Sequence, residues 1–294
     1  MARTAFRRLA ALGLLGGLSA LWSASQAASM VWAVRGAHGT LYLAGSVHLL
    51  PAQDASLPAA LDQAYRGSGK LVMELDLGKL DQAQLGEWMQ QHGALPAGSD
   101  LHTLLGETRY ARVRSAVEGL GLPPQLIDTQ APWLIGLEVA ELEYARLGFD
   151  PQQGVEEQLV RRAQADGKPT AGLETVQEEL GGLESLPPKE QLRLLDQSLE
   201  ELKDAPEEMK AVLSAWRRGN ASELARLLEQ DFDGFPTLYE ALVTSRNRHW
   251  LAQIEAYARG NGDTLVVVGA LHLVGPGGLL ELLRKDGFTV TQLN

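Results

Sequence analysis

Cysteine is absent from the 294 residues. That excludes a disulfide framework, a thiolate nucleophile and a Cys-ligated zinc, so the fold must rest on its apolar core. Positive charge is scarce: 26 Lys and Arg against 37 Asp and Glu give a formal charge of −11. Arg3, Arg7 and Arg8 stand in the first segment, which leaves the rest of the chain near −14. Binding to nucleic acid depends on neutralising phosphates with Lys and Arg, so a nucleic-acid partner is excluded. Long apolar runs are missing too. The segment Leu9 to Trp22 has fourteen residues, three of them glycine, short of the ~20 needed to span a bilayer as a helix. With three arginines before it and Ser25-Gln-Ala-Ala28 after it, it has the layout of an export signal cleaved after Ala27 or Ala28. The chain is therefore expected to be exported, periplasmic or secreted, with a signal over 1–28. No transmembrane helix is expected in the mature part, and residues 29–294 suit one α/β domain.

What is present is alternation of short apolar runs with helical periodicity. Trp32–Val34 and Leu41–Ala44 read as strands joined across Arg35-Gly-Ala-His-Gly-Thr40, where glycine would supply positive φ. Leu57–Tyr65 reads as a helix and Lys70–Leu75 as a buried strand, a parallel strand–helix–strand order. From about 81 to 230 the pattern is helical, with one strand at Pro169–Leu173 entered by a helix from Val155 to Ala165. These helices are expected to cover the sheet and the mouth of any site. The chain then returns to a helix over Leu242–Arg259, a strand at Thr264–Val268, a helix over Gly277–Lys285 and a strand at Phe288–Gln292. The expected fold is α/β with a central, mostly parallel sheet whose strands come from both ends of the chain.

The two ends of the chain share an internal repeat. Leu41-Tyr-Leu-Ala-Gly-Ser-Val-His-Leu-Leu50 superposes on Leu265-Val-Val-Val-Gly-Ala-Leu-His-Leu-Val274: strand, Gly, two residues, His. Each copy sets a histidine just beyond the carboxyl end of a buried strand, where ligands of open α/β sheets bind. Glu74 closes another such strand; a carboxylate ending an apolar run needs a partner or an ion. Two imidazoles and a carboxylate suit Zn, Mn, Co or Fe, so His48, His272 and Glu74 are the candidate metal ligands. The close-spaced H-E-x-x-H helix is absent. Glu74 or Glu174 is the candidate general base, and Arg246 and Asn247, opening the C-terminal helix, are candidates to bind a developing oxyanion.

The combination of these segments resembles the TraB/GumN (TraB/PrgY/GumN/Tiki) family over almost the whole mature chain. Carrying it are Leu41 to His48, Val72-Met-Glu-Leu75, Gly154-Val-Glu-Glu-Gln-Leu159 and Lys168-Pro-Thr-Ala-Gly-Leu-Glu-Thr175. Arg246-Asn247 with Trp250, Val268-Gly-Ala-Leu-His-Leu-Val-Gly275 and Gly287-Phe-Thr-Val290 complete it. The chain departs from the family pattern at Ser46, where Thr is usual, and at Glu156, where Asp is frequent. The resemblance implies a fold like that of the Tiki and erythromycin-esterase-like proteins, with two pseudo-symmetric halves each donating a G-x-x-H motif, and with His48, Glu74 and His272 at the active site and Arg246 and Asn247 beside them. It implies a metal-dependent hydrolase, a peptidase acting on a peptide or other small envelope substrate. Two alternatives stand beside it: a metal-independent His/Glu esterase-like hydrolase, and a non-catalytic envelope binding or inhibitor module.

Overall fold

The computed structural model describes residues 28–294 apart from Ala37. The expected export signal, except for Ala28, lies outside the described residues. In chain order the strands are β1 (Val31–Arg35), β2 (Thr40–Ser46), β3 (Leu50–Pro51), β4 (Lys70–Met73), β5 (Phe149–Asp150), β6 (Thr170–Gly172), β7 (Thr264–Gly269) and β8 (Val290–Gln292). Six form one sheet in the order β6-β4-β7-β2-β1-β8, and β3 and β5 pair separately. The β4–β6, β4–β7 and β2–β7 pairs are parallel; β1 runs antiparallel to β2 and to β8.

β7 is buried along its entire length, as a Val-rich run flanked by parallel strands on both edges should be. The sheet core gathers Leu41, Leu43, Leu71, Val72 and Leu265 to Val268 with Trp32, Trp216 and Trp250. Helix α1 (Ala59–Gly67) precedes β4. Then follow α2 (Gln82–His92), α3 (Leu101–Leu105), α4 (Glu107–Gly119), α5 (Pro132–Arg146), α6 (Val155–Asp166) and α7 (Val176–Glu184). After them come α8 (Pro188–Glu201), α9 (Ala205–Arg217), α10 (Ala221–Asp231), α11 (Pro236–Tyr239), α12 (Ser245–Arg259), α13 (Ala270–Leu273) and α14 (Leu279–Lys285). The helical middle has two apolar clusters of its own, one on Ile135, Val139 and Leu195 and one on Trp133 and Leu183. No helix among the described residues is long and apolar enough to cross a membrane.

The mixed, mostly parallel sheet matches the expectation, but three local features differ. β2 and β4 are not neighbours, because β7, from the far end of the chain, sits between them. Its side chains are apolar on both faces, so the centre of the sheet is where it loses most water. In the β1–β2 turn neither Gly36 nor Gly39 has a left-handed φ. They are needed for close approach instead, since a Cβ on Gly36 would stand 1.8 Å from the carbonyl oxygen of Ala258. Finally, the two G-x-x-H segments lie side by side but one residue out of step, Gly45 opposite Val268 and Ser46 opposite Gly269. After Ser46 the chain continues as a loop towards β3, whereas after Gly269 it winds into α13. His48 is consequently at the rim, its side chain 64% exposed, and His272 is buried.

Candidate active site

The carboxyl ends of β2, β4, β6 and β7 deliver Ser46 to His48, Glu74, Glu174 and Gly269 to one edge of the sheet. Backbone ties fix the acidic pair: the N–H groups of Leu173 and Glu174 both donate to the carbonyl of Glu74, at 2.9 and 3.0 Å. Glu74 turns inward, one oxygen accepting the Gly269 N–H at 2.6 Å and the other accepting Arg246 Nη2 at 2.6 Å. Gly269 is the pivot. A Cβ there would stand 3.3 Å from Glu74 Oε1, 3.3 Å from His48 Nε2 and 3.7 Å from His272 Cδ2, so the three expected site residues converge on the space its missing side chain leaves.

Each histidine is held through Nδ1. His48 Nδ1 donates to Glu156 Oε1 at 3.0 Å, and Ser46 Oγ donates to the same oxygen. Glu156 occupies the first turn of α6, whose N-cap Gly154 lies so near the loop that a Cβ would meet the His48 carbonyl oxygen at 2.2 Å. His272 Nδ1 lies 2.8 Å from Asn247 Oδ1. The Asn247 amide donates to the carbonyls of His272 and Gly277, at 3.1 and 3.0 Å, which assigns its nitrogen and its oxygen. His272 Nδ1 therefore carries the hydrogen and Nε2 the lone pair. Nε2 lies 3.8 Å from Glu74 Oε1 and 3.2 Å from Arg246 Nη1. The ring packs on Trp250, centroids 4.5 Å apart.

Arg246 fills the centre of an acidic group. A π-helical stretch over Glu240–Thr244 precedes α12 and sets the phase with which Arg246 and Asn247 face the site. Its guanidinium donates to Glu174, Glu74 and the carbonyl of Leu242, faces His272 Nε2, and stacks on Trp250 with Glu179 Oε1 3.6 Å away. Glu174 also accepts Trp250 Nε1–H at 3.1 Å. The oxyanion role expected of Arg246 and Asn247 does not follow from this geometry. The N–H groups of Arg246 are taken by carboxylates, a carbonyl and His272, and those of Asn247 by two carbonyls. Glu174, its side chain 1% exposed and bound by Arg246, is the guanidinium's counter-ion.

The charges follow from these contacts. Burial lowers His272 to about 4, so it is neutral near pH 7. Burial alone would raise Glu74, but the neighbouring cationic groups hold it at about 2. With His272 neutral, the lasting cation beside Glu74 is Arg246. The Glu156 carboxylate raises His48, while Glu156 itself, pushed up by burial, is drawn below its usual range by His48 and Ser46. Burial, with Glu74 nearby, lifts Glu179 to about 7.

Glu156 and Glu179 were not among the candidates drawn from the sequence. Glu156 was visible only as a departure from the family pattern. Glu179 lies in a Glu178-Glu179 pair that reads as an ordinary helix surface.

For a metal, two donor sets present themselves. Ligand atoms of Glu74, Glu174 and Glu179 lie within 4.8 Å of one another, but Arg246 already stands among them as their cation. The set expected from sequence, His48, His272 and Glu74, suits a divalent ion in the chemistry of its donors, and both imidazoles have Nδ1 tied to a protein acceptor. Its ligand atoms do not gather within 4.8 Å as those of the three glutamates do, and Arg246 binds Glu74 and faces His272 Nε2 here as well. His48, on its exposed loop, is the member that must close in.

The family model for TraB/PrgY/gumN matches residues 30–292. The chain is 28% identical over 243 residues to the uncharacterized protein YbaP of Escherichia coli (strain K12), covering 83% of this chain and 87% of that protein. The YbaP of Shigella flexneri gives the same figures, 28% over 243 residues. An uncharacterized protein of Treponema pallidum (strain Nichols) is 26% identical over 276 residues, 87% of this chain and 80% of that one. None of these names states an activity.

Proposed function

The chain belongs to the TraB/PrgY/gumN family, and on that premise we propose that it is a hydrolase of peptide bonds whose reaction centre is His48, Glu74 and His272. One observation carries the reading. Two imidazoles from opposite ends of the chain meet at the space beside Gly269, His48 through Nε2 and His272 through its Cδ2 edge with Nε2 3.8 Å from the ionised Glu74, and each ring is oriented through Nδ1. An oriented, buried imidazole such as His272 beside a fixed charge is a costly arrangement that serves proton transfer or ligation better than packing.

His272, neutral and with its lone pair on Nε2, is the proton acceptor for an attacking water that takes the place of Arg246 Nη1, 3.2 Å from that nitrogen. Glu74 has both oxygens engaged and is held far down the pH scale, so it orients and balances charge and leaves base work to His272. His48, backed by Glu156, is the donor to the departing group. Were a divalent ion held by His48, His272 and Glu74 instead, the two Nε2 lone pairs would be spent as ligands and not in proton transfer, and the ion would supply a Lewis acid and a water acidic enough to ionise near neutral pH. In this reading the protein acts in the cell envelope, after the export expected from its first 28 residues.

The test is metal analysis of the purified protein beside a panel of peptides and esters, with and without chelator, repeated on Glu74→Gln and His272→Ala. Turnover that falls about a hundredfold or more in both variants, and on chelation, supports the full scheme. Turnover untouched by both substitutions contradicts it.

A second reading is favoured by the opposed proton affinities of the two rings, His272 lowered by burial and His48 raised by Glu156. Two titratable groups pushed apart in this way make a base and an acid without a metal. Chelator-insensitive turnover that is lost in His48→Ala distinguishes it.

A further inference from the structure

A cleft of about 360 Å³ opens on this centre, with His48, Glu74 and His272 in its floor. Its walls come from the helical middle of the chain: Tyr144 of α5, Met209 and Val212 of α9, Leu228 of α10, Phe232 just beyond it, and Leu242 of the π-helical stretch. All six are half-buried, packed at the margins of apolar clusters or of a neighbouring ring and turned partly towards the cleft. Apart from the Tyr144 phenol, the ionisable groups that line the cleft are His48, Glu74, Glu179, Arg246 and His272, the members of the reaction centre and its charge cluster. Such walls have almost nothing to offer a sugar or a phosphate, which need hydrogen-bond partners along their length. They suit an apolar side chain. A dry apolar cavity of roughly 150 Å³ already accepts benzene, so this cleft has room for a phenylalanine or leucine side chain with adjoining backbone.

We infer that this cleft is a specificity pocket for a bulky apolar side chain of a peptide substrate, placed next to the bond that His48, Glu74 and His272 attack. The inference rests on the hydrolase reading for the bond broken, and on the cleft alone for the side chain bound. Continuity with the reaction centre, rather than apolarity alone, selects this occupant: whatever enters the walls is held within reach of the floor.

The test uses the purified protein and blocked hexapeptides that differ only in a central Phe, Leu, Ala or Gly. Equilibrium binding and cleavage are measured separately for the parent, Leu228→Trp and Val212→Asp. None of these substitutions touches the reaction centre, and circular dichroism reports whether each variant folds. Full burial of a large apolar side chain corresponds to about ten- to a hundredfold in affinity. The Phe peptide is therefore expected to bind the parent better than the Gly peptide by that factor. The preference should shrink to about threefold or less in Leu228→Trp, which fills the cleft, and in Val212→Asp, which charges its wall, with Gly-peptide binding unchanged. Equal affinity for Phe and Gly peptides in the parent overturns the pocket, whether or not either is cleaved. A clear preference without cleavage keeps the pocket and removes the hydrolase reading; cleavage without preference does the reverse. A dimer that Leu228→Trp disrupts in sedimentation makes this wall an interface between copies and overturns the pocket.

Discussion

Replacing Arg246 by methionine removes the guanidinium that faces Glu74, Glu174 and Glu179 together. Methionine keeps much of the stem volume, so the change is chiefly one of charge and hydrogen bonds. The Glu174 and Glu74 side chains are only 1% and 7% exposed, so they would be left as buried anions without their cation. Breaking a buried pair from one side costs about 3–5 kcal/mol. Against a total stability on the order of 5–15 kcal/mol this is a large loss, a fall in melting temperature of roughly 6–20 °C for a domain of this size. Guanidinium and thermal unfolding of the purified protein measure it. Adding Glu174→Gln removes the stranded charge, and the double variant is expected to regain more than half of the loss. The deficit of the single variant should also shrink towards acid pH, as the stranded carboxyls take up protons. A loss below about 1 kcal/mol, the value of an exposed ion pair, would refute the claim that this charge cluster is buried and mutually dependent.

Three further outcomes follow from the same geometry. Glu179 is raised from 4.5 to about 7 in the fold, so between those values the folded chain holds more protons than the unfolded one and stability falls as pH rises; Glu179→Gln should flatten that slope and gain on the order of a few kcal/mol at most above pH 7 in denaturant titrations. Gly269→Ala puts a methyl group 3.3 Å from both Glu74 Oε1 and His48 Nε2, so it should cost turnover or metal affinity tenfold or more while unfolding shifts by less than about 2 kcal/mol; unchanged turnover would deny Gly269 its place at the centre. Asn247→Asp sets a carboxylate on His272 Nδ1 in place of the amide oxygen that lies 2.8 Å away, and a nearby anion favours imidazolium; the His272 titration followed by NMR should move up from about 4, and the acid limb of the pH–rate profile should move with it.

The sheet was legible because its strands differ from the helices in period. Thr264–Gly269 and Lys70–Met73 stand out as short apolar runs, and their observed bounds fall within two residues of those expected. The order of the strands was not legible, since nothing local to β7 states that it inserts between β2 and β4. The β3–β5 pair was missed because two residues leave no periodicity to read. That His48, Glu74 and His272 come to one edge of the sheet was legible from their place after strand ends, a backbone property that repeats along the chain. The roles of Arg246, Asn247, Glu174 and Glu156 depend on which partners tertiary packing brings within 3 Å, and residue type alone leaves an arginine equally suited to an oxyanion or to three carboxylates.

The most direct measurement of the central claim is NMR of the protein carrying ¹⁵N-labelled histidine, recorded before and during titration with zinc. His272 should begin as the neutral tautomer with hydrogen on Nδ1, and the Nε2 signals of His48 and His272 should shift together, saturating at one equivalent. A His272 with its hydrogen on Nε2, or a zinc response confined to one of the two rings, would contradict a shared site.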